Sequence, residues 1–366
     1  MSESSENTLI TTFATTVGMA TDLVSGIPAP VKRNFFKALN QLCTAAIDWP
    51  AAFFEGKAAE KRAETESRVN LIHRSKEQLA AQLQVPEEYV RSAGQKFAAR
   101  VIREQINLDA ISAETTKQIV DATGKSPSAD KQKEVPPISD DWLNQFEAQA
   151  RQISSDEMRT LFAKVLAGEI QRPSSFSIRT VKLLGELDTQ AATIFKRLCS
   201  LTISLRDAGR TIDARVCSLG GNAAGNALAD YGLSFDQLNL LQEHELIISA
   251  YNSYMDYRNA VCTDGLTVQL GYYYRGQLLG LESSGGNSWN EPLEIRGVAL
   301  SHTGKQLSEI VEIETDSDII SKYTDALRKH FESKHLSVIP VQTSSSPSDN
   351  ATQERKDGAT GTTNSG

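Results

Sequence analysis

Apolar residues recur in steps of three and four from Val69 to Leu198, and only near Leu266 does the pattern change to strict alternation. A helical period cannot settle as a strand, nor a strand period as a helix, so this switch places helices first and an α+β region last. Val69, Ile72, Lys76, Leu79 and Leu83 form one stripe, and beyond Pro86 the run Val90, Ala93, Phe97, Val101, Gln105, Leu108 and Ile111 continues it. Two long helices folded back at Pro86 would bury these stripes against each other, which predicts an antiparallel hairpin over residues 31–122.

Residues 123–138 break the pattern: Gly124, Pro127, Pro136 and Pro137 stand among Ser, Asp and Lys, a linker composition. Past it, Ser139, Asp140 and Asp141 open a helix bearing Trp142, Leu143 and Phe146. Ser154 to Glu157 reads as a capping box for a helix with Met158, Leu161, Phe162, Val165 and Leu166, ending near Gly168 and Pro173. Asp188 caps the next, with Ala191, Ile194, Phe195 and Leu198 inward. Residues 139–206 thus read as a small helical bundle.

Over residues 207–340 the elements are mixed. Ser234 and Gln237 cap a helix. The alternating run Leu266–Tyr274 turns at Arg275-Gly276, returns through Leu278–Leu281, and is followed by a strand-like run Leu293–Leu300. Ser301 caps another helix, and Ile319, Ile320, Tyr323, Leu327 and Phe331 mark the last. Helix, hairpin, strand and helix predict a winged-helix-like α+β domain. The expected fold is therefore mainly α, with an N-terminal long helical hairpin, a central bundle and this C-terminal domain. Residues 1–30 read as a flexible amphipathic segment, and 341–366, dominated from Thr343 onward by Ser, Thr, Gly, Asn and charge, as a disordered tail.

The net charge of −8 disfavours a general polyanion-binding surface but hides a polarity. Residues 31–103 hold 13 Lys and Arg against 8 Asp and Glu, a net of +5, whereas residues 236–340 hold 8 against 15, a net of −7. The basic hairpin is a candidate nucleic-acid contact, set against the plainer reading of a solvated charged face. The helix opened by Ser234 carries no Lys or Arg up to Ile247, so a duplex would be repelled there and the domain reads as a protein-binding version of its fold. Phe35, Phe36, Leu39 and Leu42 beside Lys32, Arg33 and Lys37 allow residues 8–55 a peripheral membrane contact or, more simply, docking on the chain itself. Four cysteines without paired spacing, an acidic N-terminus and the lack of a long apolar run predict a cytoplasmic protein.

Chemistry is sparse. Gly220 to Gly225 lacks the Lys-Ser/Thr of a phosphate loop, and the five histidines show no metal-ligand spacing, so neither cofactor nor metal is expected. Glu243-His244-Glu245 point in different directions on a helix. Glu169 is more pointed: after Gly168 it ends a helix, where a negative charge meets an unfavourable dipole, with Arg172 and Arg179 near enough in sequence to pair with it. It reads either as a clamp closing the turn at Pro173 or as a ligand-binding acid. Trp142 and Phe176 flank that region, and Tyr273 and Trp289 are candidates for an exposed aromatic patch.

Asp141-Trp142-Leu143, Ile153 to Met158, Leu161 to Glu169 and Pro173 to Thr180, with Arg103 to Asn107 upstream, resemble the bacterial family catalogued as domain of unknown function 2806. The resemblance covers residues 50–335. The core from Leu161 to Pro173 is more distantly similar to the abortive-infection alpha proteins linked to phage resistance. That resemblance implies a phage-related or defence setting and transfers no catalytic residue. The expected function is a cytosolic interaction or sensor protein without catalytic activity. Its partner is expected to be a protein, with nucleic acid through the hairpin or a membrane surface through the N-terminal helices as alternatives.

Overall fold

The computed structural model describes residues 27–43, 86–123, 135–207, 210–262, 271–283, 289, 291–314 and 317–340. The first arm of the expected hairpin, most of the linker, the N-terminal segment before residue 27 and the C-terminal tail lie outside them. The chain divides into two compact units: Met1–Lys196 with Leu240–Leu246 and Ser301–Glu312, and Arg197–Asn239 with Ile247–Leu300 and Ile313–Gly366.

The first unit is helical. Helix α1 (Ala29–Leu42) carries Pro30 in its first turn, where no backbone N–H is needed, and buries Val31, Phe35, Ala38, Leu39 and Leu42. Its polar edge also bonds to the chain beyond residue 134. Arg33 donates to the Val135 carbonyl at 2.9 Å, Lys37 pairs with Asp140 at 2.7 Å, and fully buried Asn34 donates to Pro136 O and accepts from Ile138 N. Helix α2 (Glu87–Thr123) is 37 residues long, about 55 Å at 1.5 Å per residue. Helix α3 (Asp140–Ala150) buries Trp142, Leu143, Phe146 and Ala150, with Asp140 and Asp141 favourably placed at its positive end.

Helix α4 (Asp156–Gln171) is the centre of this unit. Phe162, Ala163, Val165, Leu166 and Ile170 are all fully buried, and the helix packs on α2, which buries Leu108, Ile111 and Ile119. The cap falls one residue later than expected: Ser155 Oγ accepts from Met158 N at 3.4 Å, which puts Glu157 too early to reach back, so no reciprocal box forms. Helices α5 (Ile178–Glu186) and α6 (Thr189–Leu201) are capped by Ser177, accepting from Thr180 N, and by Asp188, accepting from Ala191 N at 2.7 Å.

The second unit carries a sheet of eight strands: β1 (Ile203–Asp207), β2 (Arg210–Cys217), β3 (Ser253–Asp256), β4 (Val261–Cys262), β5 (Gly271–Tyr274), β6 (Gln277–Ser283), β7 (Glu294–Ala299) and β8 (Leu336–Pro340). An antiparallel ladder runs β3-β7-β2-β1-β5-β6-β8, and β4 lies parallel to β6 beyond the end of β5. Helix α7 (Phe235–Glu243) opens on a reciprocal box, Gln237 Oε1 accepting from Ser234 N at 2.8 Å and Ser234 Oγ from Gln237 N at 3.4 Å. Helix α8 (His302–Ser308), which belongs to the first unit, is capped by Ser301, and helix α9 (Asp318–Glu332) of the second unit buries Ile320, Tyr323, Leu327 and Phe331. Where β7 crosses β2, a Cβ on Gly297 would lie 1.9 Å from the Val216 carbonyl oxygen, so only glycine fits.

This architecture overturns the expectation of a mainly α protein with a winged-helix domain. The fold is mixed α/β with one curled sheet. The hairpin about Arg275 and Gly276 does form, both residues at positive φ as a two-residue loop requires, and the strand near residues 293–300 is β7. They are not a wing, because β1 and β2 lie between them, β1 pairing with β5 and β2 with β7. Those strands escape a periodicity reading because β1 is only five residues long and β2 buries Asp213 and Arg215 where apolar residues would announce a strand.

Candidate functional site

The segment Pro173–Ser177 follows α4 and is gripped from three directions. Pro173 cannot continue the helix, and Ser174 takes φ of 70°, which points successive amides back toward the helix end. Glu169, on the last turn of α4 and 3 % exposed, accepts from Ser174 N at 2.6 Å and Phe176 N at 3.0 Å. Trp142 Nε1 of α3 donates to the Phe176 carbonyl at 2.7 Å while its ring stacks on Phe146. Gln306 of α8 donates to Ser175 O at 2.7 Å and accepts from Ser177 N at 3.0 Å and from the Thr180 hydroxyl. Gly168 leaves the space into which Phe176 packs, since a Cβ there would lie 2.7 Å from the ring. Burial lifts the Glu169 carboxyl above the ordinary glutamate range, against the amide donors of Phe176, Ser174 and Ser175 that hold it down.

Four sequence candidates, Trp142, Gly168, Glu169 and Phe176, therefore meet in one structure, whose polar atoms are spent on the chain's own backbone. The arginines do not join them. Arg172 lies 3.9 Å from Glu309, and Arg179 forms an exposed pair with Glu245, Nε to Oε2 at 2.7 Å. Backbone amides, not guanidinium groups, satisfy Glu169. Gln306 went unnoticed in the sequence because it stands 129 residues from Ser177 and no local pattern marks it.

In the second unit, Tyr273 of β5 carries the Arg206 guanidinium 4.8 Å from its ring centre. Trp289 is half-buried, its Nε1 buried without a hydrogen-bond partner among the described residues. A buried polar cluster in this unit went unmarked by any sequence pattern. Arg215 binds Asp213 through two bonds of 2.6 and 2.8 Å and donates to Ser253 O and Ile295 O, while Tyr257 Oη donates to Asp213 at 3.0 Å. Arg215 thereby joins β2 to β3 and β7, and residues two apart on a strand share a face, which is what brings Asp213 and Arg215 together. A strand assignment with Asp-x-Arg in it would have exposed the pair.

Groups able to do chemistry are dispersed. Burial pushes the Cys43 thiol up to about 12 and that of Cys217 to about 11, and that of Cys199 higher still, so none is a thiolate near neutrality. Glu243-His244-Glu245 do not converge, since His244 faces Asp188 at 3.3 Å and Glu245 faces Arg179. Among the described residues, no group of three or more His, Cys, Asp and Glu is placed to hold a metal ion, and no helix is long and apolar enough to cross a membrane.

Among the described residues, a cluster of exposed large apolar side chains lies on α2. Its apolar stripe is buried at Leu108, Ile111 and Ile119, yet the same stripe continued toward the N-terminus is bare, with Phe97 55 % and Val101 46 % exposed and Tyr89 and Ile102 beside them at 67 % and 59 %. From Tyr89 to Arg103 the helix carries Arg91, Lys96, Arg100 and Arg103 and no acidic residue. This stretch is both apolar and basic.

The two units together define a mixed α/β protein whose most specific sequence motif closes a turn. A family model described as protein of unknown function, DUF2806, matches residues 92–327, and the chain belongs to that family. The matched span contains the Pro173–Ser177 turn, Gln306 and the Asp213–Arg215 pair. No curated protein and no solved structure matches the chain, so the similarity to abortive-infection alpha proteins, and the defence setting it implied, are not shown.

Proposed function

We propose that this is a non-catalytic cytosolic interaction protein whose contact surface is the N-terminal half of α2. The observation that carries this reading is the bare stretch from Tyr89 to Ile102: four large apolar side chains, Tyr89, Phe97, Val101 and Ile102, stand in solvent on a helix that farther along buries Leu108, Ile111 and Ile119. The buried polar groups support it from the other side. Glu169, Asp213 and Arg215 are consumed by intramolecular bonds. Free, protonated thiols suit a reducing compartment.

The test uses the full-length chain carrying a photo-crosslinking residue at Phe97, irradiated in its host. A heavier adduct that disappears when the residue is moved to Ala99, on the opposite face, supports a protein partner. Adducts from both positions, or none, would overturn the reading. A second reading, contact with nucleic acid, rests on the four cations of Tyr89–Arg103. It predicts retardation of duplex or single-stranded probes at low salt that weakens steeply as salt rises, and absence of a shift below physiological salt removes it.

A further inference from the structure

We draw no further inference here: the strongest candidate, the bare apolar and basic stripe from Tyr89 to Arg103 on the N-terminal half of α2, belongs to the surface already proposed as the contact site, and nothing in the structure shows what covers it.

Discussion

The Pro173–Ser177 turn in one unit and the Asp213–Arg215 pair in the other both bury charge, and they neutralise it by opposite means. Among the described residues Glu169 has no cation beside it and is solvated by backbone amides, so it fixes the path of a turn while burial disfavours its charged form. Asp213 meets a guanidinium two residues away that also satisfies carbonyls on two other strands, so it fixes the order of a sheet. The first arrangement is local in sequence and the second long-range. Removing a partner should therefore cost more in the sheet, where an orphaned charge stays buried, than in the turn, where an amide loses an acceptor.

The largest effect expected is from Asp213→Ala, about 3–5 kcal/mol of stability by urea unfolding, because Arg215 is left buried without its countercharge. The double change Asp213→Leu with Arg215→Met should cost less than the single one, and the reverse ranking would break the comparison. Glu169→Gln comes next, at about 1–3 kcal/mol, since an amide supplies one acceptor oxygen where the turn uses two. The Trp142 fluorescence reports that unit.

The pH dependence sharpens the contrast. Burial raises the folded-state pKa of Glu169 above its unfolded value, so the folded form holds its proton more tightly. The stability this confers is fully present below the unfolded pKa and is lost as pH rises through the folded one. The gap between wild type and Glu169→Gln should accordingly widen as urea titrations move from pH 7 down toward pH 4, and a gap that narrows would contradict a raised pKa. A smaller effect is expected from Ser155→Ala, about 0.5–1 kcal/mol, in keeping with its long capping bond of 3.4 Å. Arg179→Ala should leave the melting temperature unchanged, as its pair with Glu245 is open to water.

Much of the local structure was legible in the chain. Asp188, Ser234 with Gln237, and Ser301 cap the helices they were expected to cap, because each bond spans only three residues. Glu169 could be singled out as a clamp or a ligand-binding acid from its place at a helix end, and it accepts from the amides of Ser174 and Phe176. Its partners could not be named, since arginine side chains are visible in a sequence and the direction of backbone amides is not. The sheet was hidden for a related reason. Pairings such as Arg215 with Ala299 join residues far apart, and a short strand interrupted by a buried ion pair carries no alternation to mark it.

Sequence alone determined where the helices capped by Asp188, Ser234 and Ser301 begin, and that a basic, acid-free stretch runs from Tyr89 to Arg103, because these depend on neighbours within a few residues. Only the tertiary structure decided that the late strands join an eight-stranded sheet, that Gln306 and Trp142 hold one turn, and that a single helical stripe is buried at Leu108 and bare at Phe97. Burial is a property of what arrives from elsewhere in the chain, and periodicity along a helix cannot record it.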